Sequence, residues 1–470
     1  MSGGPGSRVW LARTLRASVL CAAGLALLVP GGCSDPEPAA PALGPSVAAA
    51  GPADQLITVS GTDFRVGGQP YRFVGANLWY GMNLASLGPG GDRERLDREL
   101  SLLAEMGVTN LRVMAGSEGP DGEPWRVAPA LQTAPGVYDP ELLDGLDYLI
   151  EAAAGQRMRL VLCLTNFWPW TGGMAQYVSW ESGEPIPYPA GPEADWDAYQ
   201  AFASRFYESE GARDAYWRHV TTIVNRVNGR TGTAYRDDPV IMAWELANEP
   251  RGMGRAEAFN AWIDETAALI KSLDPNHLVT TGCEGNTPLP GLNGLDFIAN
   301  HDGPHIDYAT VHIWPQNWGW YDPADAESTF PDAGFEARAY LGHHEQLADQ
   351  LNKPLVLEEF GLARDGGAFE PEASAARRDE FFAAMFEAVE ESVAAGGPLA
   401  GSNFWAWAGE GKPARPGGFW ETGDPWTGDP PHERQGWYGV YASDRVTLTL
   451  VRFTATALTA PAPGNPTTDH

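Results

Sequence analysis

Eight short apolar runs, separated by stretches of helical spacing, organise the chain. They are Phe73–Tyr80, Asn110–Ala115, Arg159–Asn166, Val240–Asn248, His277–Cys283, Tyr308–Trp314, Pro354–Phe360 and Ser402–Ala408. Several are continuously apolar, as strands covered on both faces must be. Between them, Leu96, Leu100, Leu103 and Met106 recur at helical spacing, with Asp92 placed to cap and Gly107 to stop. Leu142, Leu146, Leu149 and Ile150 form a second such face. Phe381, Phe382, Met385, Phe386 and Val389 form a third, inside a stretch free of Pro and Gly from Ala373 to Ala395. Strand–helix alternation repeated eight times predicts an α/β fold, a parallel sheet closed into a (β/α)8 barrel. Upstream, Leu56–Phe73 reads as a short β-hairpin turning at Gly67-Gly68 and placed to plug the barrel bottom. The Trp- and Pro-rich insertion Pro169–Trp196, between the third and fourth strands, is expected on the binding face.

The N-terminus has a different character. Arg8, Arg13 and Arg16 precede an apolar run, Ala17 to Val29, too short to span a bilayer comfortably. It ends in Pro30-Gly31-Gly32-Cys33, similar to the cleavage and acylation site of bacterial lipoproteins, with Pro30 where Leu is usual. Cys33 is therefore the expected lipidation site, with plain secretion as the alternative. The expected plan is a signal peptide over 1–33, a Pro/Ala/Gly-rich tether over 34–54, one catalytic barrel over 55–460 and a disordered tail over 461–470. The protein is expected to be exported, and either lipid-anchored to the cell envelope (outer membrane or cell surface) or secreted. Cys163 and Cys283 lie in different strand-like runs and read as inert packing, with no metal-ligand spacing around them.

Composition narrows the partners. Lys plus Arg is 31 against 61 Asp plus Glu, a formal net charge of −30. Such a surface repels phosphate backbones and anionic lipid, so nucleic acid is not an expected partner. Eighteen Trp residues suit stacking on sugar rings, or a large aromatic core.

In a barrel of this kind chemistry sits at the C-terminal ends of the strands. The fourth run finishes in Asn248-Glu249-Pro250 and the seventh in Glu358-Glu359-Phe360-Gly361. Two apolar strands ending in carboxylates supply what glycoside hydrolysis needs, a proton donor and a nucleophile. His312 and Trp314, two apart, share a face of the sixth strand; Arg112 stands at matching depth on the second, and Trp405 belongs to the eighth. Each residue alone has a bland reading as core, turn or salt bridge, but all fall at the same end of successive strands. His343-His344-Glu345 lies in a helical connector and is not read as a metal site, and Gly423–Pro430 reads as a loop. By strand alternation Glu245 is placed inside the barrel, with Arg112 as its candidate partner, and Glu358 on the opposite face from Glu359.

The segments Trp244–Arg251 (WELANEPR), Lys353–Gly361 (KPLVLEEFG) and Asn403–Ala408 (NFWAWA) resemble glycoside hydrolase family 5. Leu164–Trp180, Val220–Pro250 and Ala309–Trp320 look like its endo-β-1,4-mannanase branch. The resemblance runs from about Leu56 to Thr454. It implies Glu249 as acid/base and Glu359 as nucleophile of a retaining enzyme acting on β-mannan, without cofactor or metal. It implies substrate-binding roles for Arg112, Asn166, Trp168, Asn248, Glu284, His312 and Trp405, and Trp314 is expected to bind substrate beside them. Many members have Tyr two residues after the His, where this chain has Trp314, so the Tyr role is not carried over. A raised pKa is expected for Glu249. A cellulase-like glycanase, a transglycosylating or exo-acting relative and an inactive sugar-binding barrel stay open as alternatives. A monomer is the default expectation.

Overall fold

The computed structural model describes residues 55–188, 196–288 and 293–459. The expected signal peptide (1–33) with Cys33, the expected tether (34–54) and the expected tail (461–470) lie outside the described residues.

Eight parallel strands form the central sheet: β1 (Phe73–Asn77), β2 (Asn110–Met114), β3 (Arg159–Cys163), β4 (Ile241–Glu245), β5 (Leu278–Thr280), β6 (Ala309–Ile313), β7 (Leu355–Phe360) and β8 (Leu399–Phe404). Seven lie within the apolar runs read from the sequence. The eighth starts three residues earlier than expected and ends before Trp405. The strands pair in the order β5-β4-β3-β2-β1-β8-β7-β6, a (β/α)8 barrel. β5 and β6 share no ladder. Their seam is spanned by single bonds, Asp307 N–H to the Val279 carbonyl (2.8 Å) and His312 N–H to the Glu284 carbonyl (3.0 Å), and by the hydroxyls of Thr280 and Thr310.

The helices form where the spacing predicts them. Arg93–Glu105 is capped by Asp92, whose carboxylate accepts from the Arg95 N–H at 2.9 Å, and it buries Leu96, Leu100 and Leu103 against the sheet. Each such leucine stabilises the fold by about 1.5–3 kcal/mol through area removed from water. Pro140–Gly155 starts with Pro behind the Asp139 cap, and Ala376–Ala395 buries the five residues of the third apolar face.

Ahead of the barrel the expected hairpin has an extra strand: Ile57–Ser60, Asp63–Val66 and Gln69–Pro70 form an antiparallel meander. Its Ile57 and Phe64 join a cluster with Val161, Met242, Tyr308 and Val356. Above that apolar layer the barrel interior turns polar, starting with Asn110 and Asn403, which hydrogen-bond at 2.9 Å. This change of layer sets up the site at the strands' C-terminal ends.

Candidate active site

Arg112 is the centre of the interior. All five of its N–H groups are used. Nε and Nη2 grip the two oxygens of Glu245, Nη2 also reaches Asn248 Oδ1 (2.8 Å), and Nη1 reaches Asn77 Oδ1 (3.1 Å) and Glu359 Oε1. Burial works against its charge, but Glu245, Glu358 and Glu359 more than offset that and hold its pKa well above the ordinary value. The pairing of Glu245 with Arg112 is the one the strand alternation suggested.

The alternation misleads at β7. Val311 of β6 pairs with Leu357, yet His312 pairs with Glu359, so Glu358 is one residue too many. Val356 faces the barrel interior, so alternation already places Glu358 inside, 3.7 Å from Arg112 Nε and 3.6 Å from His312 Nε2, and the β-bulge brings Glu359 inward beside it. Glu358 therefore does not face away from Glu359; both belong to the interior. Gly361 follows because the Trp314 ring lies where a side chain would be: a Cβ there would stand 2.9 Å from it.

The β4 ladder ends at Glu245, and the chain runs on through Asn248, whose N–H donates to the Thr165 carbonyl, to Glu249, whose N–H donates to that of Gly282. Glu249 has φ +49°, a left-handed conformation uncommon outside glycine and concentrated at functional sites. Its Oε1 lies 2.7 Å from His312 Nδ1, and its Oε2 accepts from Trp168 Nε1 at 2.6 Å. Glu359 Oε2 accepts from Trp314 Nε1 at 3.2 Å and lies 3.4 Å from His312 Nδ1. One atom each of Glu249, His312 and Glu359 lies within 4.8 Å of the others. Among the described residues this is the one such set that could hold a cation. His344 instead uses both ring nitrogens on backbone, at Asn286 and Tyr340.

The electrostatics depart from the expectation for Glu249. Burial favours its neutral form, but the bond and charge of His312, then Arg251 and Trp168, hold it down at about 2. Burial pushes Glu359 up to about 8, with the charge of Glu249 adding to it. Burial alone would keep His312 neutral; the charge of Glu359 and the bond to Glu249 raise it to about 10. Between about pH 2 and 8 the three groups thus hold two protons, one on His312 and one shared by the carboxyl pair.

A cavity of about 780 Å³ opens over these groups. Trp168, Asn248, Glu249, Glu284, Trp314, Glu359 and Trp405 line it. Arg112, Asn166 and His312, expected to contact substrate, stand behind this wall instead. Asn166 Oδ1 accepts from the Trp168 N–H and from Asn248 Nδ2, both at 3.0 Å, and so serves its neighbours. Glu284 receives Arg251 through two bonds, 2.7 and 2.8 Å, and Arg251 also reaches Gln200 and stacks over the Trp168 ring.

Sequence reasoning missed Arg251 and Gln200, and it missed most of the loop after β8, which brings Phe419, His432, Glu433 and Trp437 to the cavity. Asp429 holds that loop in shape by accepting the N–H groups of Gly436 (2.8 Å) and Tyr438 (2.6 Å). Burial raises the Glu433 carboxyl strongly and lowers His432 to about 3. The available signal was the density of aromatic residues from Phe419 to Tyr438 in a stretch otherwise rich in Gly and Pro.

Comparison with known proteins agrees with this geometry. A family profile described as GH family 5 beta-mannosidase-like matches residues 54–462. A putative mannan endo-1,4-beta-mannosidase 9 from Oryza sativa subsp. japonica is 35% identical over 361 residues, 75% of this chain and 81% of the relative. A glycoside hydrolase family 5 mannosidase from Rhizomucor miehei, solved also as a mutant in complex with mannosyl-fructose, superposes with TM-score 0.80 and 39% identity, over 87% of this chain and 98% of that one. The endo-beta-1,4-mannanase from Thermotoga petrophila superposes with TM-score 0.63 and 26% identity, over 83% and 77%.

Proposed function

We propose, since this chain belongs to the beta-mannosidase-like group of glycoside hydrolase family 5, that it hydrolyses internal β-1,4-mannosidic bonds of mannan-type polysaccharides with retention of configuration. The observation that carries the reading is the approach of Glu249 and Glu359, one oxygen of each within 4.8 Å, at the floor of a Trp-lined cavity. Retaining glycosidases hold their carboxyl groups roughly 5–5.5 Å apart, whereas inverting enzymes leave about 6.5–9.5 Å for a water.

The reactive form places the shared proton on Glu249 and leaves Glu359 ionised. Arg112 and Trp314 donate to Glu359 and favour that form. Glu359 attacks the anomeric carbon while Glu249 passes its proton to the departing glycosidic oxygen. Water then attacks the resulting ester and gives a proton to Glu249, now ionised and held by His312, and Glu359 leaves as carboxylate. Asn248, fixed by Arg112 and Asn166, serves the sugar 2-hydroxyl, and Trp405 forms the floor of the subsite.

The test is reducing-sugar release from mannan, glucomannan, cellulose and xylan, with Glu249→Gln as control. Activity on cellulose with none on mannan would overturn the substrate assignment. A second reading, removal of single mannose units from chain ends, is favoured by the wall that His432, Glu433 and Trp437 add to the cavity. Products from mannohexaose separate the two: mannose alone as the first product supports end-cleavage, and mid-chain fragments support the endo reading.

Export rests on the sequence of residues 8–33. Cys33 carries the lipid in this proposal, and Cys33→Ser is expected to move the enzyme from the membrane fraction to the medium.

A further inference from the structure

Glu118 lies four residues beyond the last residue of β2, fully buried, and has no part in the chemistry above. Its Oε2 accepts from the Gly173 N–H at 2.8 Å and its Oε1 from Thr165 Oγ1 at 3.3 Å; its own N–H donates to the Thr171 carbonyl at 2.6 Å. These partners stand at the two ends of one segment, 165–173. What lies between them is active-site wall. Asn166 orients Asn248, Trp168 donates to Glu249, and Trp170 lines the cavity.

The fit is close on every side. Gly172 has φ +93°, and a Cβ there would stand 2.2 Å from the Glu118 carbonyl oxygen. That oxygen also accepts from Arg126 Nη1 at 3.1 Å. Among the described residues no salt bridge reaches the Glu118 carboxylate. A backbone amide and the hydroxyls of Thr165 and Tyr177 hold it, with the Arg126 charge a lesser influence, so the group chiefly ties chain to chain. Burial pushes this carboxyl up to about 7, which makes the neutral amide of glutamine a close stand-in.

We propose that Glu118 is a positioning residue for the acid/base: it ties together the two ends of segment 165–173 and thereby fixes the Trp168 indole against Glu249. The inference rests on the reading of Glu249 as the proton donor. A displacement of about 1 Å at a reacting group can cost on the order of 10²-fold in rate, and the Trp168–Glu249 bond is short enough to feel it.

The experiment is a double-mutant cycle between Glu118→Ala and Trp168→Phe, read as kcat and KM on mannohexaose. Glu118→Ala is expected to lower kcat on the order of 10²-fold, with a smaller change in KM. Glu118→Gln is expected to restore most of the loss. In the Trp168→Phe background Glu118→Ala should cost little more, because the group it positions has gone. Additive losses around the cycle, or an unchanged kcat in Glu118→Ala, would overturn the proposal. If Glu118→Ala does not fold, Thr165→Val removes one of the two side-chain ties and carries the same cycle with a smaller loss. Wild-type turnover is the reference in every arm. Failure of the substrate reading shows as an inactive wild type, and failure of the tie as an active wild type with additive variants.

Discussion

Trp314 Nε1 donates to Glu359 Oε2 across 3.2 Å, so an indole supports the carboxylate where a phenol was the familiar solution. An indole N–H can donate but not accept, so it favours the ionised carboxylate alone. Trp314→Phe removes a hydrogen bond to a charged group, about 1.5–3 kcal/mol, and is expected to lower kcat by roughly 10- to 100-fold. Trp314→Tyr should recover part of it. Steady-state kinetics on mannohexaose decide, and a fully active Phe variant would remove Trp314 from the mechanism.

The pH profile follows from the shared proton. Turnover needs one proton on the carboxyl pair, and that proton leaves as pH rises through about 8. The kcat/KM profile is therefore expected to fall on the alkaline side near pH 8. Trp314→Phe should move that limb upward, since the lost donor stabilised the ionised form. A profile flat beyond pH 9.5 would contradict the assignment.

Glu249 and Glu359 can be told apart by leaving group. Glu249→Ala is expected to lose about 10²–10⁴-fold on mannohexaose, but far less on a dinitrophenyl β-mannoside, whose departure needs no proton. Glu359→Ala should be inactive on both. Equal losses of Glu249→Ala on the two substrates would exclude it as the acid.

Arg112 is buried among carboxylates, so removing it leaves charge stranded. Arg112→Met is expected to cost about 3–5 kcal/mol of stability, measured by urea unfolding. Adding Glu245→Gln should return part of the stability and none of the activity.

Acid sensitivity should come from buried histidines. Burial lowers His219 to about 4, His301 to about 3 and His344 to about 4, from an ordinary 6.5. A group depressed in the folded state gives stability that is present above its unfolded pKa and lost as pH falls through the folded one. Each therefore contributes above pH 6.5 and loses that contribution down to about pH 3–4. His219→Gln is expected to flatten the acid side of a plot of Tm against pH, and an unchanged slope would count against it.

Much of the architecture was legible because a barrel strand buried on both faces leaves a continuous apolar run, and because carboxylates at the ends of two such runs are conspicuous. Glu249, Glu359 and the Arg112–Glu245 pair could be read that way. The bulge at Glu358 could not, since one inserted residue leaves the composition of β7 unchanged while reversing the direction of a side chain. Asn166, Arg112 and His312 were found, but depth is not written in spacing, and all three stand one layer behind the cavity. The loop after β8 has no period to read; its shape comes from Asp429 gathering backbone amides, an arrangement visible only once folded.

The seam between β5 and β6 bears on all of this. Where the other neighbours of the cylinder are stitched by ladders, this joint relies on a few isolated fasteners, so prying the wall apart there sacrifices the fewest backbone bonds. One of those fasteners is the amide of His312 itself, held by the carbonyl of Glu284. Loosening the joint would separate the imidazole on β6 from Glu249 beyond β4, tying mechanical weakness and loss of turnover to the same place.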